Sequence, residues 1–216
     1  WSLFGKIVIL CLIQLGGLGV ITVNSALMLF MHKKFSLSDR TLLNDALNLD
    51  TSSGLLSFLG RLISGTLIVE LIGMVLYSFV FVRQFGLGKG LWISLFTAVS
   101  AFCNAGIDII GPDSLAGYAS VPLVLLVTMW LIVLGGLGYI VWFDMMGTFR
   151  YGIRHKFAFT QICRRLSEHT KLVLCATLAL ILGGAVLIFL AECGNPLTFG
   201  SMSLGDKILN SLFQSV

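Results

Sequence analysis

The sequence predicts an all-α integral membrane protein, because of its composition, the length of its apolar segments and a repeated pattern. Hydrophobic residues make up 57% of the chain and charged residues 11%, and the mean hydropathy is +0.98. Soluble domains are far more polar than this. In lipid, an isolated strand would leave its backbone groups without hydrogen bonds, whereas a helix satisfies them internally. The apolar segments are therefore predicted to be helices.

Four segments have about the 20 apolar residues that a helix needs to cross a bilayer. They are 7–31, 62–82, 121–143 and 172–191. Glu70 is the one charged residue within them. A cleaved signal peptide does not fit the first segment, which is long and has no basic leading region. Because the chain opens at Trp1 rather than at Met, we expect it to be part of a longer protein.

The basic residues predict the orientation in the membrane. The connectors 32–61 and 148–171 would lie on one side, and 83–120 and 192–216 on the other. The first side holds ten basic residues: Lys33, Lys34, Arg40, Arg61, Arg150, Arg154, Lys156, Arg164, Arg165 and Lys171. The second side holds only Arg83, Lys89 and Lys207. The positive-inside bias places the first side in the cytoplasm, so the net charge of +4 indicates topology and lipid contact rather than nucleic-acid binding.

A fifth apolar segment, 91–103, is too short to cross the membrane. As a helix it would reach about 20 Å, whereas the hydrocarbon core is about 30 Å thick. It runs into the polar turn Asn104-Ala105-Gly106, so we expect a re-entrant helix followed by a loop. Exposed backbone oxygens after such a helix are how cation pores replace the hydration shell of an ion. The segment therefore predicts an ion pathway.

Two motifs recur at nearly the same offset. The run Ser-Leu-Phe-Thr-Ala-Val at 94–99 returns as Ser-Leu-Phe-Gln-Ser-Val at 211–216, 117 residues later. The run Gly-Gly-Leu-Gly at 16–19 returns at 135–138, 119 residues later. Such self-similarity indicates a duplicated unit. The predicted unit is a span, a pore helix with its filter loop, and a longer span interrupted by glycines.

This unit predicts one complete repeat flanked by two partial ones. The predicted parts are the closing span of repeat one at 1–31, a cytoplasmic connector with an amphipathic helix at 32–61, repeat two at 62–150, a second connector at 151–171 and the start of repeat three at 172–216. Repeat two would comprise a span at 62–82, a pore helix at 91–103, a filter at 104–108 and a span at 120–147. Repeat three would begin with a span at 172–191 and a pore helix at 206–216.

Four motifs resemble one known family. They are Gln-Leu-Gly-Gly-Leu-Gly at 14–19, Val-Ser-Ala-Phe-Cys-Asn-Ala-Gly at 99–106, Gly-Gly-Leu-Gly-Tyr-Ile-Val-Trp at 135–142 and His-Thr-Lys-Leu-Val-Leu at 169–174. In this order they resemble the Trk/Ktr/HKT family of potassium transporters, and most closely the KtrB-type membrane subunit. The resemblance implies four span–pore–span repeats around one pore in the cell membrane, with K⁺, and Na⁺ as a second candidate, as the transported ion. It also implies a homodimer regulated by a cytoplasmic nucleotide-binding RCK subunit of the KtrA/TrkA type.

The predicted K⁺ filter comprises Cys103, Asn104, Ala105, Gly106 and Ile107. Gly106 is the central candidate, because aligning successive carbonyls requires φ values that are closed to residues with a Cβ atom. In the family that the motifs resemble, this glycine sets the preference for potassium, and a serine in some plant relatives accompanies sodium passage. The alternative is an ordinary turn between two helices. Asp108 and Asp113 lie just beyond, where they could attract cations or shape turns.

Two further features leave alternatives open. The span glycines Gly16, Gly17, Gly19, Gly135, Gly136 and Gly138 could permit close helix packing or a bend. Glu70, as an intramembrane acid, is by default a functional residue. It could act as a relay, or it could be hydrogen-bonded to hydroxyls such as those of Ser64, Thr66 or Tyr77.

The competing functional interpretation is a secondary cation transporter with discontinuous helices, coupled to Na⁺ or H⁺. Glu70 and the glycine interruptions favour it, whereas repeats in the same orientation do not. An enzyme is not expected, because the spans contain no Ser/His or paired-Asp arrangement, and no covalent cofactor is implied. The connector at 36–48 is predicted to be an amphipathic helix that contacts lipid or docks the regulatory subunit.

Overall fold

The computed structural model of the protein describes residues 2–19, 55–112, 114–157, 159–195, 198–200 and 202–216. Every regular element within these residues is a helix, which confirms the predicted all-α class. The helices are α1 (Leu3–Gly17), α2 (Leu55–Phe85), α3 (Leu87–Phe102), a 3₁₀ turn (Ala116–Tyr118), α4 (Pro122–Gly136), α5 (Tyr139–Arg154), α6 (Phe159–Arg165), α7 (Glu168–Glu192) and α8 (Leu204–Ser215). The predicted amphipathic helix at 36–48, the second half of the span at 7–31, and Asp113 lie outside the described residues.

Two helices are long and apolar enough to cross a membrane, and they contain the predicted spans at 62–82 and 172–191. These stretches are Gly60–Phe85 in α2 and Glu168–Glu192, which is α7. Their most apolar windows are only 28% and 6% buried within the protein. Exposed apolar surface on this scale favours contact with lipid over water. By contrast, α1 and α3 are apolar but have only 15 and 16 residues.

The chain divides into two compact units, Trp1–Ser114 and Leu115–Val216. In the first unit, α2 and α3 form a hairpin that turns at Gly86. The φ and ψ angles of Gly86 are 79° and 168°, a region that is essentially restricted to glycine. One turn later, a Cβ atom at Gly90 would lie 2.6 Å from the Val82 Cα and 2.7 Å from the Phe81 carbonyl oxygen. Glycine at position 90 therefore allows the two helix backbones to touch.

Helix α1 packs against α3 in the same unit. The core of this contact consists of Ile13, Phe96 and Val99, and Ile107 and Ile109 from the loop after α3 pack against it. The α3 helix starts four residues before the predicted pore helix at 91–103 and ends one residue earlier. At 16 residues it still reaches only about 24 Å, less than the hydrocarbon thickness of about 30 Å.

In the second unit, the predicted span at 120–147 is two helices, α4 and α5, whose axes are bent by 100°. The bend lies at Gly138, whose φ and ψ angles of 82° and 150° again fall in the glycine-only region. Because α4 ends here, the Leu134 carbonyl lacks the N–H donor four residues later that a continuous helix would supply. The Trp142 indole Nε1–H donates to that carbonyl at 2.9 Å, so a side chain bridges the break.

Polar side chains at the helix ends join α5 to α7. The Asp144 Oδ2 atom of α5 accepts the Ser167 backbone N–H at 2.9 Å. Ser167 is the N-cap of α7, and its hydroxyl oxygen accepts the Thr170 N–H at 3.2 Å. A carboxylate at a helix N-terminus is stabilised by the partial positive charge there. The Asp144 contact therefore ties the bent helix to the start of the second span.

Helices α7 and α8 form a second hairpin. Helix α8 begins at the N-cap Ser203, whose hydroxyl oxygen accepts the Asp206 N–H at 3.2 Å. The Lys207 ammonium donates to the Cys193 carbonyl at 2.9 Å, at the C-terminal end of α7. Near the end of α8, the Ser215 hydroxyl donates to the Ile181 carbonyl at 2.7 Å, and a Cβ atom at Gly184 would overlap this hydroxyl. The short helix is thus attached to the long one at both of its ends.

Replacing the bend glycine by alanine, Gly138→Ala, is expected to destabilise the protein. A residue with a Cβ atom held at these angles costs about 1–3 kcal/mol. Thermal unfolding of the purified protein in detergent measures the effect as a lower midpoint. Gly147→Ala is the matched control, because Gly147 lies within α5 without a positive φ and with open space around it. A midpoint that Gly138→Ala leaves at the control value would contradict a conformational requirement for glycine at position 138.

Candidate ion-pathway site

The predicted filter loop begins where α3 ends in a Schellman motif. Asn104 adopts a left-handed conformation with φ of 53°. Its N–H donates to the Ala101 carbonyl at 3.1 Å, and the next N–H, of Ala105, donates to the Ser100 carbonyl at 2.9 Å. These two bonds satisfy carbonyls that the helix end would otherwise leave free. Asparagine is among the few residues besides glycine that tolerate this conformation.

The far end of the loop is attached to the same helix by a side chain. The Ile107 N–H donates to the Ser100 hydroxyl oxygen at 2.9 Å. Ser100 is 3% exposed, so the bond is shielded from solvent. Because the Ser100 carbonyl also holds Ala105, this one residue fixes the loop at two points through its main chain and its side chain. The Ile107 side chain then packs on the core between α1 and α3.

Between these attachments, Asn104, Ala105 and Gly106 are exposed. Gly106 has φ of 67°, in the region that favours glycine, and a Cβ atom there would meet nothing within 4 Å. Its requirement for glycine is therefore conformational rather than steric. Cys103 and Ile107, at the two edges, are half-buried. The five predicted filter residues thus form one short loop whose exposed part carries only small or polar side chains, so that its backbone oxygens could approach a cation.

Asp108 forms a local turn immediately after the loop. Its Oδ1 atom accepts the Ile110 N–H at 3.0 Å, which is the geometry of an Asx turn. This contact is the turn-shaping role that the sequence left as one of two alternatives. The attraction of cations by Asp108 stays a prediction.

Glu70 lies directly behind this loop, in a cluster contributed by three helices. The Gln14 amide Nε2 of α1 donates to the Glu70 Oε2 atom at 3.2 Å. The Cys103 thiol, at the end of α3, lies 4.0 Å from the Glu70 Oε1 atom. Glu70 is 3% exposed. The Thr66 hydroxyl, which the sequence offered as a partner of Glu70, has no hydrogen-bond partner among the described residues. The two contacts of Glu70 with Gln14 and Cys103 come from other helices.

The span glycines divide between the two roles considered for them. At Gly17 a Cβ atom would overlap the Cys103 side chain, so this position serves close packing of α1 on the end of α3. Gly19 and Gly138 have φ angles of 83° and 82° and open space around them, so they serve the conformation of the chain. Gly16 also has open space around it. Gly135 and Gly136 lie in the last turn of α4, just before the bend.

Sequence reasoning missed two contacts of this site, the Ser100 bridge and the Gln14–Glu70 pair. Gln14 and Glu70 are isolated polar residues in apolar segments, and that isolation is a signal that each needs a partner. The pairing itself spans 56 residues of sequence and is not visible without the tertiary structure. Ser100 carried no signal beyond being a hydroxyl in the last turn of an apolar helix.

Two long apolar helices and an apolar pair that is bent at a glycine define a membrane protein with several spans. Comparison with known proteins identifies its family. A profile of the TrkH family, described as cation transport protein, matches residues 2–216. The chain therefore belongs to the TrkH family of cation transport proteins, which confirms the resemblance seen in its motifs. Members of this family are transporters of the cell membrane and not enzymes.

Named relatives support the same assignment. The chain is 35% identical over 216 residues to the potassium/sodium uptake protein NtpJ of Enterococcus hirae and 37% identical over 216 residues to the Ktr system potassium uptake protein B of Bacillus subtilis. A Ktr system potassium uptake protein B of Vibrio alginolyticus is 35% identical over 215 residues. Each alignment covers 100% of the chain and 45%, 46% and 45% of the relative, respectively. The chain thus spans somewhat less than half the length of these relatives.

Removing the Ser100 hydroxyl, Ser100→Ala, is expected to destabilise the loop. The Ile107 amide would lose its acceptor in a shielded position, at a cost of about 1–3 kcal/mol. Thermal unfolding in detergent measures this as a lower midpoint. Ser94→Ala is the matched control, because Ser94 is also buried in α3 but its hydroxyl only donates to the Gly90 carbonyl of its own helix, at 2.8 Å. Equal midpoints for the two variants would argue against a special role of the Ser100 bridge.

Proposed function

We propose that this chain contributes to the pathway of a membrane protein that takes up K⁺, and that the loop from Cys103 to Ile107 provides oxygens to the ion. Membership of a cation transport family and relatives named as potassium uptake proteins support potassium as the substrate. The relative from Enterococcus hirae is named for potassium and sodium, so Na⁺ is the second cation to test.

The loop geometry carries this proposal. Asn104 to Gly106 are exposed, and the N–H groups of Ala105 and Ile107 donate to the carbonyl and the hydroxyl of Ser100, respectively. A loop held at both ends keeps its backbone oxygens in place, so a dehydrated ion would find them preorganised. The C-terminal end of α3 adds a partial negative charge of about half an elementary charge, which favours a cation nearby.

A repeated span–pore helix–span architecture is part of the proposal, and several equivalent features support it. Helices α3 and α8 begin at Leu87 and Leu204, which are 117 residues apart. The Ser94 and Ser211 hydroxyls, also separated by 117, both donate to the carbonyl four residues earlier. Each short helix forms a hairpin with a long apolar one. On this scheme α8 is the pore helix of repeat three.

The glycine breaks extend the same correspondence to the closing spans. Gly19 and Gly138 are 119 residues apart and have nearly equal positive φ angles. We propose that both glycines occupy equivalent positions in the closing span of their repeat. Assembly as a homodimer and control by an RCK-type regulatory subunit on the cytoplasmic side complete the proposed system. The basic connectors at 32–61 and 151–171 would face that subunit and the lipid headgroups.

A secondary transporter coupled to Na⁺ or H⁺ is the second candidate, and buried Glu70 favours it. A coupled carrier would lose K⁺ uptake when the Na⁺ or H⁺ gradient is abolished while the membrane potential is clamped. A channel-like pathway would keep it. The K⁺ current through the protein in a voltage-clamped planar bilayer, measured with and without these gradients, separates the two.

The filter is tested by Gly106→Ser in the full-length protein with its regulatory partner, produced in a bacterium that lacks its own K⁺ uptake. We expect the unchanged protein to restore growth at low K⁺. The variant should need about tenfold more K⁺ or more, because a side chain at this φ displaces the loop and weakens ion binding by the equivalent of about 1.4 kcal/mol or more. Uptake of K⁺ and Na⁺ by the same cells should show a lower preference for K⁺.

Gly111→Ser is the control for this experiment. Gly111 lies beyond the loop, without a positive φ and with nothing within 4 Å of an added Cβ atom. Cells that produce Gly111→Ser should therefore grow, and prefer K⁺ over Na⁺, as cells with the unchanged protein do. Unaltered selectivity of Gly106→Ser, with the protein present in the membrane, would remove the filter from this loop. No growth with the unchanged protein, when it is folded in the membrane, would count against potassium uptake.

A further inference from the structure

The cluster of Gln14, Glu70 and Cys103 joins three helices at one point. Glu70 accepts the Gln14 amide at 3.2 Å on one carboxyl oxygen and faces the Cys103 thiol at 4.0 Å with the other. Both contacts come from donors, so the carboxyl group acts as the acceptor at the centre of the cluster. It is 3% exposed, whereas Gln14 and Cys103 are half-buried.

A buried acid at this depth is expensive unless it has partners, and removing one partner leaves a polar group unsatisfied. A span that needed only packing would place an apolar residue at position 70, as α2 does at most positions around it. Acids inside spans therefore indicate a role other than packing.

Cys103 connects Glu70 to the loop. It is the C-cap of α3 and directly precedes Asn104, where the chain turns into the left-handed conformation. Its backbone N–H donates to the Val99 carbonyl at 2.9 Å. Its side chain lies between two other helices, against Gly17 of α1 and near the Glu70 carboxyl of α2. The start of the loop is therefore positioned by the side chain of Cys103, and its end by the hydroxyl of Ser100.

Gln14 connects the same carboxyl to α1, one turn before Gly17. The hydrogen bond that the Gln14 amide donates to Glu70 thus holds α1 at the distance at which Gly17 can pack on Cys103. We propose that Glu70 is a positioning residue for cation selectivity, which fixes α1 and the end of α3 so that the loop from Cys103 to Ile107 keeps one geometry. This inference rests on the proposed function of the loop. It assigns a role in selectivity to Glu70, which lies on α2 and outside the loop.

Selectivity is the property that should respond to this residue. Discrimination between K⁺ and Na⁺ depends on the placement or the number of the oxygens around the ion. A small displacement at Cys103 would change both while leaving a pathway open. Loss of the cluster should therefore change the relative preference for the two ions more than the total flux.

The test measures K⁺ and Na⁺ uptake, as KM and maximal rate for each ion, by the full-length protein with its partner in cells that lack other K⁺ uptake. Rates are divided by the amount of protein in the membrane. For Glu70→Ala we expect the preference for K⁺ over Na⁺ to fall about tenfold or more, as for leaving a shielded amide donor without its acceptor. The K⁺ KM should rise while the maximal rate for Na⁺ is kept.

An exchange variant tests the pairing directly. Gln14→Glu and Glu70→Gln each replace one partner, and together they restore one acid and one amide at the same two positions. We expect each single variant to lower the preference for K⁺ and the double variant to recover it to within about threefold, because the coupling of two contacting residues is non-additive. Failure of the double variant to recover preference, with all three proteins in the membrane, would overturn the pairing.

Thr66→Val is the matched control. Thr66 lies on α2 one turn before Glu70 and is fully buried, and its hydroxyl has no partner among the described residues. Replacing it by the isosteric valine should change neither the selectivity nor the amount of protein. A drop in membrane protein or thermal stability for Glu70→Ala with the K⁺ over Na⁺ preference unchanged would show a structural role only, and would overturn the proposal.

Three further outcomes have distinct meanings. If Glu70→Ala does not reach the membrane, the variant Gln14→Ala tests the proposal instead, because it removes only the amide donor at a half-buried position. A lowered preference for K⁺ in Gln14→Ala supports the proposal, and an unchanged preference refutes it. If the unchanged protein shows no preference for K⁺, the proposed function of the loop fails first. If the unchanged protein is selective and the Glu70 variants are equally selective, only this inference fails.

Discussion

The constraint on which the structure depends is that lipid offers no hydrogen bonds to backbone groups. A helix that stops at membrane depth must therefore satisfy its last carbonyls from within the protein. At the end of α3 this is done by the amides of Asn104 and Ala105, and at the end of α4 by the indole of Trp142. Each of these two helix ends is accordingly accompanied by a specific polar contact. The breaks are thus defined conformations rather than frayed ends.

Glycines and polar side chains have different roles in forming these breaks. Gly86 and Gly138 supply backbone angles that other residues reach only with strain, whereas Gly90 and Gly17 remove a side chain where two helices touch. Close approach then brings isolated polar residues within bonding distance. Helix α1 can place Gln14 against Glu70 because Gly17 lets it lie on the end of α3. Conformation, packing and polar pairing at the candidate site are consequently linked.

The exposed loop from Asn104 to Gly106 is therefore the least covered part of a well-anchored region. Ser100 bonds to its far end, and the Cys103 side chain anchors its start between α1 and α2. Such an arrangement suits the coordination of an ion that is only partly dehydrated, since preorganised oxygens do not have to be ordered when the ion binds. Membership of the TrkH family of cation transport proteins is in keeping with this chemistry.

The sequence by itself determined the helical class, the two long spans, the short apolar helix before the loop and the family. These follow from local quantities, namely the length of apolar runs, the position of glycines and short motifs, so no contact between distant residues was needed. Only the tertiary structure decided that the span at 120–147 is bent by 100°, that Ser100 holds Ile107, and that Glu70 pairs with Gln14. Glycine at Gly138 permits a bend without requiring one, and the bend is realised because Trp142 and Asp144 stabilise the bent form. The partners of Glu70 lie 33 and 56 residues away along the chain, and the packing of α1, α2 and α3 selects them from several polar residues that the sequence alone left equivalent.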